Sequence, residues 1–302
     1  MAKVLANGVI LNYNQAGDGP NIVLVHGLGA NSAFWYFNTM PALRKEFRVT
    51  AYDLRGHGYS EMPRSGYTSA DMAHDLGDLL NHLDIDHAHL VGHSFGGAIA
   101  LHCAALMPER VRSVVVADGR IRALQPRQKV ADWPFWKRWR SGLGELGLDL
   151  LGNEELDFTL LEKHAHETLR KPGRAVHDST SFLPFTGLSG GSKSAEMWLR
   201  LLNTTNAKEE LRSVEGLTIE TLRGIYHPTL AIYGEYSFCL PSCNGLQKWL
   251  RSCEVRIVSG VGHFHPVIKP ACFTDVIRTF IHRQDTRAKH DGAPARERMP
   301  NL

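Results

Sequence analysis

The chain has 302 residues, 43% hydrophobic and 22% charged, with a formal net charge of +3. Those values suit one water-soluble α/β domain carrying an insertion; they give no basic field for nucleic acid, and no apolar run approaches the roughly 20 residues that cross a bilayer. Residues 1–8 lack the apolar stretch of a secretory signal. Five scattered cysteines, Cys103, Cys239, Cys243, Cys253 and Cys272, read as small buried apolar groups in a reduced, cytoplasmic setting, and neither as a disulfide framework nor as a metal site.

In chain order, residues 9–15 alternate apolar and polar, which predicts an early edge strand. Ile22-Val23-Leu24-Val25 is a near-continuous β-branched run suited to a parallel strand covered on both faces, and it runs into His26-Gly27-Leu28-Gly29. Arg48 to Tyr52 is the next strand and ends at Asp53-Leu54-Arg55-Gly56-His57-Gly58. A helix is predicted from Thr68 or Ser69, with Met72, Leu76, Leu79, Leu80 and Leu83 at helical spacing and Thr68 and Asp71 as a capping box. Ala88, Leu90 and Val91 form a strand that leads into Gly92-His93-Ser94-Phe95-Gly96-Gly97, and Ala98 to Leu106 reads as a helix. Val111 and Ser113 to Ala117 make another strand, ending at Asp118-Gly119-Arg120.

Between about 121 and 226 this alternation stops, which predicts an inserted helical domain within a core of 1–120 and 227–283. There, Asn153 is expected to cap a helix with Leu156, Leu160, Leu161, Ala165 and Leu169 on one face, closed by Pro172-Gly173. Residues 187–192 read as a connector, and Met197, Leu201 and Leu202 as a further helix. Trp133, Trp136, Trp139 and Trp198, four of the six tryptophans, lie in this insertion. They suit the wall of an apolar pocket or, equally, the insertion's own core. Thr229 to Tyr233 and Glu254 to Val258 are two more strands, and residues 284–302, with two prolines and mixed charge, are expected to be disordered.

Ser94 sits in a G-x-S-x-G pattern between a strand and a helix, the context of a nucleophile elbow. Flanking glycines let strand and helix meet at a strained turn, which lifts the serine hydroxyl above the sheet edge at a helix N-terminus. Together with His26-Gly27-Leu28-Gly29, the Asp53 to Gly58 stretch and Gly260-Val261-Gly262-His263-Phe264, this ordered set resembles the α/β-hydrolase superfamily. Within it the chain looks like the capped branch that holds serine esterases, thioesterases and C–C bond hydrolases. The resemblance covers residues 9–283 and implies a mostly parallel eight-stranded sheet flanked by helices, with residues 121–226 as a helical cap.

The resemblance also implies roles. Ser94 would be the nucleophile, His263 its base, and the backbone N–H groups of Leu28 and Phe95 the oxyanion hole. His265, two residues on, is a rival base in an extended segment and otherwise a substrate-pocket candidate. Relatives usually carry their aspartate in a Gly-x-x-Asp stretch after the penultimate strand, but here that stretch is Gly234-Glu235-Tyr236-Ser237. Asp118, at the end of the strand after the nucleophile's own, is a second position from which this fold supplies the acid, and Glu235 is the rival. A serine at the elbow excludes the aspartate-nucleophile chemistry of epoxide hydrolases and haloalkane dehalogenases. The expected activity is hydrolysis of an ester or thioester of a medium-sized, largely apolar acyl group, with no cofactor. The substrate would be a small molecule, with a carrier-bound acyl thioester as one form. The alternatives are C–C bond hydrolysis of a diketone-like substrate and a catalytically silent binding protein.

Overall fold

The computed structural model describes residues 2–137, 140, 144, 151–171, 191–214 and 216–291. Eight strands build one sheet: β1 (Ala2–Ala6), β2 (Val9–Ala16), β3 (Asn21–Val25), β4 (Arg48–Tyr52), β5 (Ala88–His93), β6 (Val111–Ala117), β7 (Thr229–Gly234) and β8 (Cys253–Val258). They lie in the order β1-β2-β4-β3-β5-β6-β7-β8; β1 and β2 are antiparallel to their neighbours and the other six strands run parallel. The eight-stranded, mostly parallel sheet expected from the sequence is therefore present. The expected early strand, however, is not at the edge. β1 lies outside it, joined by a tight turn in which Asn7 (φ 47°) and Gly8 (φ 73°) both take left-handed backbone. That Asn-Gly pair was the signal for a hairpin.

Helices close both faces. α1 (Ser69–His82), α2 (Phe95–Leu106) and α5 (Leu240–Trp249) pack into one apolar cluster with α3 (Phe158–Arg170) and α4 (Gly191–Thr204). α6 (Pro270–Asp291) seals the other face with Phe273, Ile277, Phe280 and Ile281, beside Trp35 and Phe47. With both faces covered, β5 and β7 are buried along their whole length, as their sequences require. α1 starts at the predicted capping box: the Thr68 hydroxyl accepts from the Asp71 N–H, and the Asp71 carboxylate accepts from the Thr68 N–H.

Several expectations for the later segments need correction. α3 is capped by Asp157, whose Oδ1 accepts from the Thr159 N–H at 2.8 Å, and not by Asn153. Residues 154–156 instead pair with 128–130 through an isolated antiparallel bridge, with Val130 N–H donating to Glu154 O and Leu156 N–H to Gln128 O, each at 2.8 Å. Gly191 and Ser192, expected in a connector, form the first turn of α4, whereas 187–190 and the closing Pro172-Gly173 lie outside the described residues. Of the tail expected to be disordered, residues 284–291 are helical, and 292–302 lie outside the described residues. α6 continues to Asp291, and the Asp285 carboxylate, buried against the sheet, accepts from His89 Nε2 at 3.1 Å and Arg112 Nη1 at 3.0 Å. Cys103, Cys239 and Cys243 are buried as expected, but Cys253 is only half-buried and Cys272 is exposed. Among the described residues no helix is long and apolar enough to cross a membrane.

Candidate active site

The strand order reverses direction about β3: the chain steps from β3 to β4 on one side and then returns to β5 on the other. Open parallel sheets bind ligands at such a switch point, beyond the carboxyl ends of the strands. Ser94 stands there, between β5 and α2, with φ 55° and ψ −120°. A left-handed conformation at a non-glycine residue is costly, and the neighbours enforce it. A side chain at Gly92 would collide with the Gly96 carbonyl, and one at Gly96 with the Val25 carbonyl. Glycine is therefore required at both positions for α2 to start directly on top of β5.

Three loop ends converge on the serine. Gly27 packs so closely that a Cβ there would lie 2.8 Å from Ser94 Cβ, which brings the neighbouring Leu28 to the wall of the same cavity. The Leu28 loop is held from behind by neutral histidines. His26 Nδ1–H donates to Gly27 O at 2.8 Å and its Nε2 accepts from Leu54 N–H at 3.0 Å. His57 Nδ1–H donates to Arg55 O, and its Nε2 accepts from Gly29 N–H. Asp53 anchors the same loop, accepting from the Ser32 N–H at 2.7 Å, the Asn12 amide at 2.8 Å and the Tyr59 N–H at 2.9 Å. Burial lowers the His57 imidazole to about 4, so the ring stays uncharged. Phe95 is the first residue of α2, where a backbone N–H has no partner within the helix, and it also faces the cavity.

His263 and Asp118 meet across the strand ends. His263 Nδ1–H donates to Asp118 Oδ1 at 2.9 Å, which leaves the lone pair on Nε2, and the ring lines the cavity with Ser94. Asp118 is fully buried at the end of β6, with φ 54°, and accepts from the Gly234 N–H at 2.8 Å and from the Ser237 hydroxyl. Burial works to raise this carboxyl, but the His263 hydrogen bond and charge, with His265 and Ser237, outweigh it and hold it below the ordinary carboxylate range. Ser237 therefore fills the position where an aspartate was missing by donating to the aspartate that stands next door.

The other candidates fall elsewhere. Glu235 accepts from the Gly260 N–H at 2.7 Å, at the surface, and pins the loop before His263 without bonding the imidazole. His265 does not face the cavity. It is fully buried behind the acid, its Nε2 donating to Ile232 O at 3.2 Å and lying 3.9 Å from Asp118 Oδ2, and burial lowers it to about 4. Trp133 and Trp136 pack with Val130, Leu156 and Leu160 in a small cluster of their own, and Trp198 packs on Phe158 and His57. None of these three lines the cavity: Trp133 and Trp136 sit in the small cluster, with Trp133 Nε1–H donating to Tyr236 O, and Trp198 belongs to the main core. Trp139 lies outside the described residues.

One residue was missed from the sequence. His93 Nε2–H donates to the His263 carbonyl at 3.0 Å, and Phe34 stacks on its ring at 4.6 Å. The x of G-x-S-x-G carries no rule of its own, so only packing could reveal it. Among the described residues, Asp118, Cys239 and His263 bring ligand-type atoms within 4.8 Å of one another, and the Asp118–His263 hydrogen bond already engages two of the three.

The cavity above Ser94 measures about 140 Å³. Its upper wall is Leu156, Phe158, Leu160, Leu161, Leu211 and Leu217. An apolar cavity of about 150 Å³ accommodates benzene, so the space admits a ring or a short chain.

A mostly parallel eight-stranded sheet with a G-x-S-x-G elbow at its switch point defines the α/β-hydrolase class, and the profile of the alpha/beta hydrolase fold family matches residues 20–270. The chain belongs to that family. It is 28% identical over 298 residues to a 2-hydroxymuconate semialdehyde hydrolase of Pseudomonas sp. (strain CF600), covering 95% of each protein. It is 43% identical over 268 residues to a dihydrolipoyllysine-residue acetyltransferase component of an acetoin cleaving system of Pseudomonas putida, covering 86% of this chain and 64% of that protein. The crystal structure of an enol-lactonase from Burkholderia xenovorans LB400 shares the fold, with a TM-score of 0.64 and 22% identity over 93% of this chain and all of that one.

Proposed function

We propose that this protein is a serine hydrolase that cleaves a carboxylic ester or thioester through an acyl-enzyme, with Ser94, His263 and Asp118 as its triad. The observation that carries this reading is the buried Asp118–His263 hydrogen bond, which leaves His263 Nε2 as a base in the cavity that Ser94 also lines. Ser94 Oγ attacks the carbonyl carbon while His263 takes its proton, and Asp118 stabilises the imidazolium that forms. The N–H groups of Leu28 and Phe95 hold the oxyanion, at the positive end of α2. Collapse expels the alcohol or thiol, which leaves with the proton from His263; water, deprotonated by the same ring, then releases the acid. Residues 121–226 act as the cap, and the leucine and phenylalanine side chains at 156–161 favour a largely apolar acyl group of moderate size. Free cysteines fit a reducing, cytoplasmic setting.

Intact-mass labelling with an active-site-directed fluorophosphonate tests the triad. The expected result is rapid addition of one label, absent in Ser94→Ala and slowed greatly in Asp118→Asn. Labelling indifferent to Asp118→Asn removes Asp118 from the mechanism, and no labelling of the native chain favours a binding protein. A second reading, C–C bond hydrolysis, draws on the full-length similarity to 2-hydroxymuconate semialdehyde hydrolase. Turnover of a ring-cleavage dienoate in preference to simple esters would select it.

A further inference from the structure

Among the described residues, the Arg122 guanidinium in the cavity wall has no hydrogen-bond or ion-pair partner. Arg120 and Arg122 line the cavity, as do Asp157, Phe158 and Leu217, and Arg212 is near enough for its charge to act on Arg122. Arg120 is committed to backbone carbonyls: its Nε donates to Gln125 O at 3.2 Å and its Nη2 to Pro126 O at 3.1 Å, and it also bonds Leu156 O. Arg212 lies over the Phe158 ring, 4.5 Å from its centroid, and reaches Asp157 Oδ2 at 3.5 Å. Arg122 is half-buried and lines the cavity, yet makes no hydrogen bond or ion pair among the described residues.

Neither nearby acid neutralises Arg122. The Asp157 carboxylate caps α3 through the Thr159 N–H and hydroxyl and faces Arg212, while Glu155 is paired with Arg127 at 3.5 Å. Burial first, then the like charges of Arg120 and Arg212, works against the Arg122 cation, with Asp157 and Glu155 opposing, and its pKa falls below the usual arginine value. An arginine remains charged even so, and a half-desolvated cation with unused donors is stabilised by an anion. A carboxylate matches its planar fork with two parallel N–H···O bonds.

We infer that Arg122 is the anchor for a carboxylate on the substrate, so that the preferred substrate is an acyl chain that ends in a second carboxylate. The scissile carbonyl sits at Ser94, the apolar chain lies along Phe158 and Leu217, and the charged end reaches Arg122. The orientation rests on the hydrolase reading above; the anion site itself does not.

The test separates the two. Isothermal titration of full-length Ser94→Ala with the monomethyl esters of succinate, glutarate and adipate is compared with the corresponding neutral dimethyl esters. At least one half-ester is expected to bind 10- to 100-fold more tightly than its neutral partner, the worth of one charge-assisted contact. That preference should vanish in Ser94→Ala/Arg122→Met and persist in Ser94→Ala/Arg122→Lys. Equal binding of charged and neutral esters, or a preference untouched by Arg122→Met, overturns the inference. Where the native chain turns over p-nitrophenyl esters, the ratio of kcat/KM for the adipate half-ester over the hexanoate ester should fall by the same factor in Arg122→Met, chiefly through KM. A charge preference in titration without any turnover or fluorophosphonate labelling would keep the anion site and reject the hydrolase reading.

Discussion

At the scale of single residues, the site turns on a division of labour between positions 118 and 237. Asp118 carries the charge and Ser237 donates a hydrogen bond to it. Asp118→Asn is expected to lower kcat on the order of 10⁴-fold, because the amide supports the wrong imidazole tautomer while the fold is kept. Ser237→Ala removes one donor from a buried carboxylate and should lower kcat roughly 10-fold, the worth of a hydrogen bond to a charged group, without changing KM. Steady-state kinetics on an activated ester checks both. Ser237→Asp in the Asp118→Asn background should restore part of the lost kcat, since residue 237 already reaches residue 118 and a carboxylate there stands beside His263. Unchanged activity in Ser237→Ala would mean that the Gly234 N–H and His263 alone orient Asp118.

At the scale of elements, the junctions matter more than the elements they join. Gly92→Ala should yield no soluble folded protein, because the new methyl would collide with the Gly96 carbonyl at the base of α2. Gly27→Ala presses on Ser94 Cβ at 2.8 Å, the His93 carbonyl at 3.2 Å and Ser94 Oγ at 3.3 Å, so it should lower kcat and also the melting temperature, the latter less than Gly92→Ala does. Asp285→Ala strips the buried His89 Nε2 of its partner and should cost about 1–3 kcal/mol, a loss of several degrees in Tm by calorimetry. The parallel strands, α1 with its capping box, and the elbow were legible in the sequence because their causes are local: β-branched runs, a Thr-x-x-Asp pattern, glycines at fixed offsets. The end of α6 was not legible, since Asp285 is held by a strand nearly 200 positions away. The apolar role of the insertion's tryptophans was legible, but that Trp133 and Trp136 pack away from the cavity beside the paired segments 128–130 and 154–156, and Trp198 in the main core, was not. His263 could be read from its Gly-x-Gly-His frame, whereas the support from His93 required the folded packing.

At the scale of the whole molecule, buried neutral histidines set the response to acid. His57, His164 and His265 are each held at about 4 by burial, against 6.5 in a solvated chain. Between those values the unfolded chain binds more protons than the folded one, so stability rises with pH and falls on acidification through that window. Each such ring contributes up to about 1.4 kcal/mol per pH unit. Thermal unfolding followed from pH 7 to pH 4.5 should show Tm dropping steadily below about pH 6.5, with a shallower drop in His265→Gln; a flat profile would contradict this account.

The cavity wall divides by origin. One half, around Ser94, joins the elbow, the Gly27–Ala30 loop held by Asp53, His26 and His57, and residues 238–239 and 263–264, while the other half comes from three short stretches, 120–123, 156–161 and 211–217. Descendants of this chain can therefore explore new substrates by changing the twelve codons of those stretches whose residues line the cavity, with the reaction chemistry inherited intact. A library confined to those stretches should return variants of altered selectivity far more often than inactive ones.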